Sequence, residues 1–249
     1  MAAAFAMVAC QTDINEVGVV GGEVDVTFEV GTPTRAYSDG KTATRLQYAI
    51  YDETGAELTA LTKTDATIDI TATVELKLVT GNTYTVLFWA AAPNAPYSVN
   101  FVGAQSQLLG DAAMTVDYTN AVCNAENRDA FFKKHVFTVK GAQTETIELR
   151  RPFAQLNVGT SDTVDAAIAG MNIAQSEIVV TTYTALNLFD GTVVGQPQEL
   201  TYKMANIPSA ENNGTTEGVT ATLNGENYDI ISMNYLFVNG DDQNDGKEL

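Results

Sequence analysis

The chain has 249 residues, 31 of them acidic and 13 basic, for a formal net charge of −18. Such a surface repels nucleic acid and anionic lipid and favours solubility outside the cell. The length suits one large domain or two of about 100–120 residues, and ten Tyr, ten Phe and 19 Gly beside few Lys point to strands and turns rather than helices.

The apolar stub from Ala2 to Ala9 is too short to span a bilayer, which takes about 20 residues. It reads as the end of a signal-peptide h-region that closes on small residues before Cys10. Met7-Val8-Ala9-Cys10 has the lipobox pattern of bacterial lipoproteins, in which the cysteine thiol is lipidated and becomes the new N-terminus. Met7 stands where Leu is usual, and no basic n-region precedes Ala2, so the reading frame is expected to begin upstream. The bland alternative is an apolar N-terminal strand or helix with a buried cysteine. With Cys10 lipidated, Cys123 has no disulfide partner and reads as a small buried hydrophobe.

From Glu23 to Val30 the chain alternates without a fault. Val24, Val26, Phe28 and Val30 point one way and Glu23, Asp25, Thr27 and Glu29 the other, the period of a half-buried strand. Gly31-Thr-Pro-Thr34 breaks it, and Ser38-Asp-Gly40 keeps the link loose, which leaves Arg35 in an accessible linker. Strands are then expected at Arg45–Tyr51, Thr67–Thr71, Thr73–Val79 and Thr83–Ala91, with Gly81-Asn82 as a hairpin turn between the last two. Val86 to Ala92 is apolar on both faces, the mark of a central core strand. Asn124 to Phe132 reads as a short helix with Asn124 as N-cap, followed by strands His135–Val139 and Glu145–Leu149.

A boundary is expected at Arg150-Arg151-Pro152. Beyond it come a strand Phe153–Gly159, a short helix Asp162–Ala169 capped by Ser161 and closed by Gly170, and strands Ile173–Thr182, Ala185–Phe189, Glu199–Met204, Val219–Leu223 and Tyr228–Val238. This cadence predicts an all-β fold with minor helix: two tandem β-sandwich domains, over 36–151 and 152–249. Residues 1–22 are read as signal-peptide remnant, lipobox and short tether, and residues 23–35 as strand and linker. The turn-like Asn239 to Gly246 is an abrupt place for a sandwich to stop, so the second domain is expected to be incomplete.

Met7-Val8-Ala9-Cys10, Thr34-Arg35-Ala36-Tyr37-Ser38-Asp39-Gly40, Leu46-Gln-Tyr-Ala-Ile-Tyr-Asp-Glu-Thr-Gly55 and Leu149-Arg-Arg-Pro-Phe-Ala-Gln-Leu-Asn-Val158 together resemble the fimbrillins, the type V pilin family of lipoprotein-derived fimbrial subunits with transthyretin-like sandwiches. Val164 through Gly170 into Ser176-Glu-Ile-Val-Val180, then Asn187-Leu-Phe-Asp-Gly191, is similar to the family's second domain. The order of the pieces carries the likeness across nearly the whole chain. The resemblance implies a non-enzymatic subunit exported to the outer membrane on a lipid at Cys10. An extracellular arginine-specific protease cuts after Arg35, so that Ala36 becomes the mature N-terminus. The first strand leaves, and a segment of another subunit, in a homopolymer or an accessory pilin, takes its place by donor-strand exchange. Arg45, at the edge of an expected strand, is the less accessible competitor for cleavage. The alternative is a surface lipoprotein that stays anchored and binds a glycan or host protein as a tip or anchor adhesin.

Removing residues 23–30 vacates sites for four apolar side chains and leaves an unpaired sheet edge. At about 1.5–3 kcal/mol per buried side chain this is roughly 6–12 kcal/mol of gross burial, which a partner strand of the same spacing recovers. Without the resemblance, an ordinary edge strand and an ordinary surface arginine would be the simpler reading.

Other chemistry is thinly supplied. His135 is the single histidine, and a Cys123–His135 nucleophile pair has no flanking pattern of a cysteine hydrolase. One His and one spare Cys are too few for zinc. Many carboxylates suit glycosidase chemistry in kind, but a negative surface explains them more simply. Asp241-Asp-Gln-Asn-Asp-Gly246 is a fragment of a calcium loop with a poor ligand in Gln243, and a plain acidic turn explains it. Trp89 is able to stack on sugar, but its place in an apolar strand favours the core. Asp162-Thr163-Val164 resembles a bacterial O-glycosylation triplet. No cofactor and no metal is expected.

Overall fold

The computed structural model describes residues 21–32, 40–101, 112–119, 121–123, 125–171, 177–195, 197–203 and 220–237. The fold is all-β. The first strand, β1 (Glu23–Gly31), lies between β4 (Thr71–Val79) and β9 (Gln143–Glu148) in a three-stranded sheet. Facing it is a four-stranded sheet in the order β3 (Lys63–Thr67), β2 (Arg45–Tyr51), β5 (Thr83–Ala91), β8 (Ala130–Thr138).

Between these sheets is the first core. Alternation decides its membership: Val26, Phe28 and Val30 of β1 meet Leu46, Tyr48 and Ile50 of β2 and Val86, Phe88 and Ala90 of β5. The other set of alternating residues on the same two strands, Ala49, Tyr51, Leu87, Trp89 and Ala91, forms a second core with Tyr97, Met114 and Leu186. The four-stranded sheet is therefore buried on both faces, as the continuous apolar run in β5 requires. Covering its far side is a second four-stranded sheet, β13 (Val193–Val194), β12 (Ala185–Asn187), β7 (Ala113–Val116), β6 (Tyr97–Asn100). There β7 pairs with β12 across the Arg151–Pro152 position. The remaining strands form β10 (Ala154–Thr160), β16 (Glu226–Leu236), β15 (Thr220–Leu223) and the two-stranded β11 (Glu177–Thr182) with β14 (Gln198–Lys203). The short helix α1 (Thr163–Ile168) ends before Gly170, whose φ of 76° is the left-handed stop that glycine supplies.

Three sequence expectations fail. The strand expected at Thr67–Thr71 is instead the connection between β3, which ends at Thr67, and β4, which begins at Thr71, with Ile70 turning at φ 61°. Gly81-Asn82 is not a hairpin: β4 pairs with β1 while β5 pairs with β2 and β8, so the turn carries the chain from one sheet to the other. Gly81, at φ 93°, donates its N–H to Val139 O at 2.8 Å, tying the arch to the end of β8. The helix expected over 124–132 is only a 3₁₀ turn at Glu126–Arg128 before β8 begins at Ala130. Phe131 and Phe132 decide this by alternation, Phe131 entering the first core and Phe132 packing against the second.

Candidate functional site: the groove beneath the N-terminal strand

The strand singled out by its alternation occupies the middle of its sheet. On one side it runs antiparallel to β4 over nine paired positions, from Glu23 opposite Val79 to Gly31 opposite Thr71. On the other it runs parallel to β9, from Val26 beside Gln143 to Gly31 beside Glu148. The sequence reading expects one unpaired edge where β1 is absent; the structure has two, facing each other across the width of a strand. A segment laid there forms ladder hydrogen bonds on both sides.

Burial follows the alternation. Val26 and Phe28 are 0% exposed and Val30 1%, while Val24 is partly buried at the rim of the same core. Phe28 is held between two rings: Phe88 of β5, with centroids 5.6 Å apart and tilted 58°, and Phe137 of β8, at 5.3 Å in an edge-on contact. The outward side chains add little. Asp25 and Lys77, directly opposite one another, make a 2.8 Å ion pair with both side chains more than 60% exposed, where solvent screens it. The neighbouring Asp25 carboxylate raises the Lys77 pKa.

Both ends of the strand are fastened. At the start, Thr80 donates its N–H to Gly22 O at 2.9 Å; at the exit, Leu149 N–H reaches Gly31 O at 2.9 Å. Thr32 directs its N–H to Ile70 O at 2.9 Å and its hydroxyl to the same oxygen at 3.3 Å. Ile70 sits at φ 61°, a left-handed conformation that β-branched residues rarely adopt.

Re-entry from the linker is fixed at Gly40, whose φ is 76° and where a Cβ would lie 3.2 Å from the Phe131 ring. Beside that ring, Arg151 Nε and Nη2 donate to the two oxygens of Asp129 at 2.6 and 2.8 Å. The Asp129 side chain is 1% exposed, and the paired carboxylate raises the Arg151 pKa against the opposing effect of burial.

Cys10, Arg35 and Ala36 lie outside the described residues, as does the acidic turn Asp241 to Gly246. Arg45 opens β2 with Thr67 on one side and Ala91 on the other. The structure does not join Cys123 to His135. Cys123 is buried and accepts a hydrogen bond from the Ser232 hydroxyl at 3.1 Å, whereas His135 Nε2 lies 3.1 Å from Glu145 of β9 and its ring stacks on Phe137. Trp89 is fully buried, and the Asp162 carboxylate accepts from the Thr160 hydroxyl just ahead of α1. Among the described residues, no group of three or more His, Cys, Asp or Glu is arranged to hold a metal ion. Sequence reasoning missed the His135–Glu145 link, since the two side chains sit on strands of different sheets.

Residues 16–246 match the model of a family of unknown function (DUF6562). The chain belongs to this family. No curated protein sequence matches it. Solved structures share its fold at low identity. A candidate polysaccharide-binding protein (DUF1812) from Bacteroides thetaiotaomicron is 12% identical, with a TM-score of 0.52 over 85% of this chain and 72% of that one. A candidate cell adhesion protein from Bacteroides eggerthii is 11% identical, with a TM-score of 0.50 over 89% of this chain and 72% of that one. The fimbrial anchor protein Mfa2 from Porphyromonas gingivalis is 12% identical, with a TM-score of 0.48 over 87% and 74%. For this family member the likeness to the first two is one of fold.

Proposed function

We propose that the chain is a structural subunit of a cell-surface fimbrium that polymerises by donor-strand exchange into the groove now filled by β1. In this reading Cys10 carries the lipid that holds the precursor in the outer membrane. An extracellular arginine-specific protease cuts after Arg35, Ala36 becomes the N-terminus, and β1 departs. The observation that carries the reading is that an N-terminal strand, joined to the rest of the chain by a single linker, fills the middle of a sheet and buries Val26, Phe28 and Val30 in the first core. A strand so placed leaves a groove with two hydrogen-bonding edges and a ready apolar floor, the requirements for strand addition. The fold shared with a candidate cell adhesion protein agrees with a surface role. The sequential match of the lipobox, the arginine linker and the later motifs to fimbrillins favours a pilin over an ordinary lipoprotein.

N-terminal sequencing of polymer sheared from cells tests the reading. A start at Ala36, with loss of polymer in Arg35→Ala, is the expected result. Subunits that keep residues 11–35 in the polymer, or normal polymer from Arg35→Ala, contradict it, and a lipidated Cys10 on the mature surface protein makes it an anchored adhesin instead.

A further inference from the structure

We infer that the groove selects its occupant chiefly at one position, the slot filled by Phe28, and that the partner is an extended segment of another subunit with a phenylalanine there, a β-branched aliphatic residue two places to either side, and a direction parallel to β9. The inference rests on the strand-exchange reading and specifies its partner.

The inward residues of β1 are not equivalent. Val24 lies at the rim and is only partly buried, while the smaller Val26 and Val30 are buried in the first core. Phe28, the one aromatic residue among the inward four, packs against two rings, those of Phe88 and Phe137. Those walls also have contacts of their own, apart from β1. Phe88 lies in β5, paired on both sides, with Tyr48 6.1 Å from its ring. Phe137 is backed by Tyr84 at 6.2 Å and by the His135 ring, stacked at 5.5 Å and 14°. His135 in turn reaches Glu145 of β9, and Gln143 Nε2 donates to the other Glu145 oxygen at 2.7 Å, so the wall is braced to the strand that flanks the groove. A slot with fixed walls does not collapse around a smaller side chain, and cavity cost is greatest where collapse is poorest. Nor does it widen easily for a larger one, because overpacking a filled core is also costly. The slot therefore discriminates in both directions, whereas the exposed outward positions of β1 are tolerant. Direction is set as well, because β4 and β9 run opposite ways and only one orientation of an occupant reproduces the observed ladders.

The test uses the full chain nicked after Arg35 by an arginine-specific protease, with β1 still seated. Labelled peptides spanning residues 21–35 compete for the groove, and entry is followed by fluorescence anisotropy. The wild-type peptide is expected to exchange in. The Phe28→Ala peptide is expected to be at least about a hundredfold weaker, as loss of a buried phenylalanine implies. Phe28→Trp is expected to be about tenfold weaker or more, and Val24→Ala within about tenfold of wild type. In a nicked Phe137→Leu chain the Trp peptide should regain affinity relative to wild type, a compensation that general loss of hydrophobicity does not produce. Phe28→Ala competing within about threefold of wild type overturns the slot while leaving strand exchange intact. Exclusion of every peptide, wild type included, overturns the exchange reading and the slot with it.

Discussion

Phe28→Ala in the intact chain measures what seats the strand. The side chain is fully buried with two ring contacts, and truncating such a phenylalanine costs about 3–5 kcal/mol. A domain's whole stability is about 5–15 kcal/mol, so the loss is large against the total. Two controls on the same strand bracket it. Val24→Ala, at the rim, should cost about 1 kcal/mol, and Glu29→Ala, exposed, should stay within about 0.5 kcal/mol. Urea unfolding followed by the fluorescence of Trp89 reads all three, because Trp89 is the single tryptophan and packs in the second core, on the opposite face of β5 from Phe88. The midpoint should fall with the slope unchanged, the mark of a stability effect rather than altered compactness. At about 2–4 °C per kcal/mol for a chain of this size, the melting temperature should drop by about 6–20 °C. Phe28→Ala costing no more than Val24→Ala would refute the argument that burial in the ring slot holds β1 in place.

Arg151→Ala leaves the Asp129 carboxylate buried without its bidentate partner and should cost about 3–5 kcal/mol by urea titration, while the double change Arg151→Met with Asp129→Leu should recover much of the loss. Gly40→Ala forces a Cβ against the Phe131 ring at a positive φ and should lower stability by about 1–3 kcal/mol in the same assay; a neutral result would show that the re-entry point is loose.

Much of the groove was legible in the sequence because alternation is a local signal. The run from Glu23 to Val30 marks its inward face without reference to any other strand, and the continuous apolar stretch in β5 announces a sheet covered on both sides. What could not be read locally is pairing. A Gly-Asn turn serves a hairpin and an inter-sheet arch equally well, and the choice is made by β2 and β8, which occupy both edges of β5 and leave β4 to pair with β1. The parallel neighbour β9 lies more than a hundred residues downstream of β1, so nothing near β1 tells a central strand from an edge strand. The four-residue strands β6 and β7 went unseen because they are too short for a periodicity, and one of them finds its partner in β12. Asn124 looked like a helix cap, but Phe131 and Phe132 are demanded by cores on opposite faces of a sheet, which only an extended chain satisfies. His135 looked isolated because Glu145, ten residues on, is brought to it by the packing of one sheet on another.

A reversible lock on the strand decides whether β1 must leave. Glu29 and Thr73 are directly opposite, outward-facing and exposed, and antiparallel partners lie about 4.5–5.5 Å apart at Cα, within reach of a disulfide. In a Glu29→Cys, Thr73→Cys chain, oxidised before the protease is added, polymer should not form even though the linker is cut, and reductant should restore assembly to the rate of the parent. Polymer forming equally fast from the oxidised chain would show that subunits join without vacating this groove.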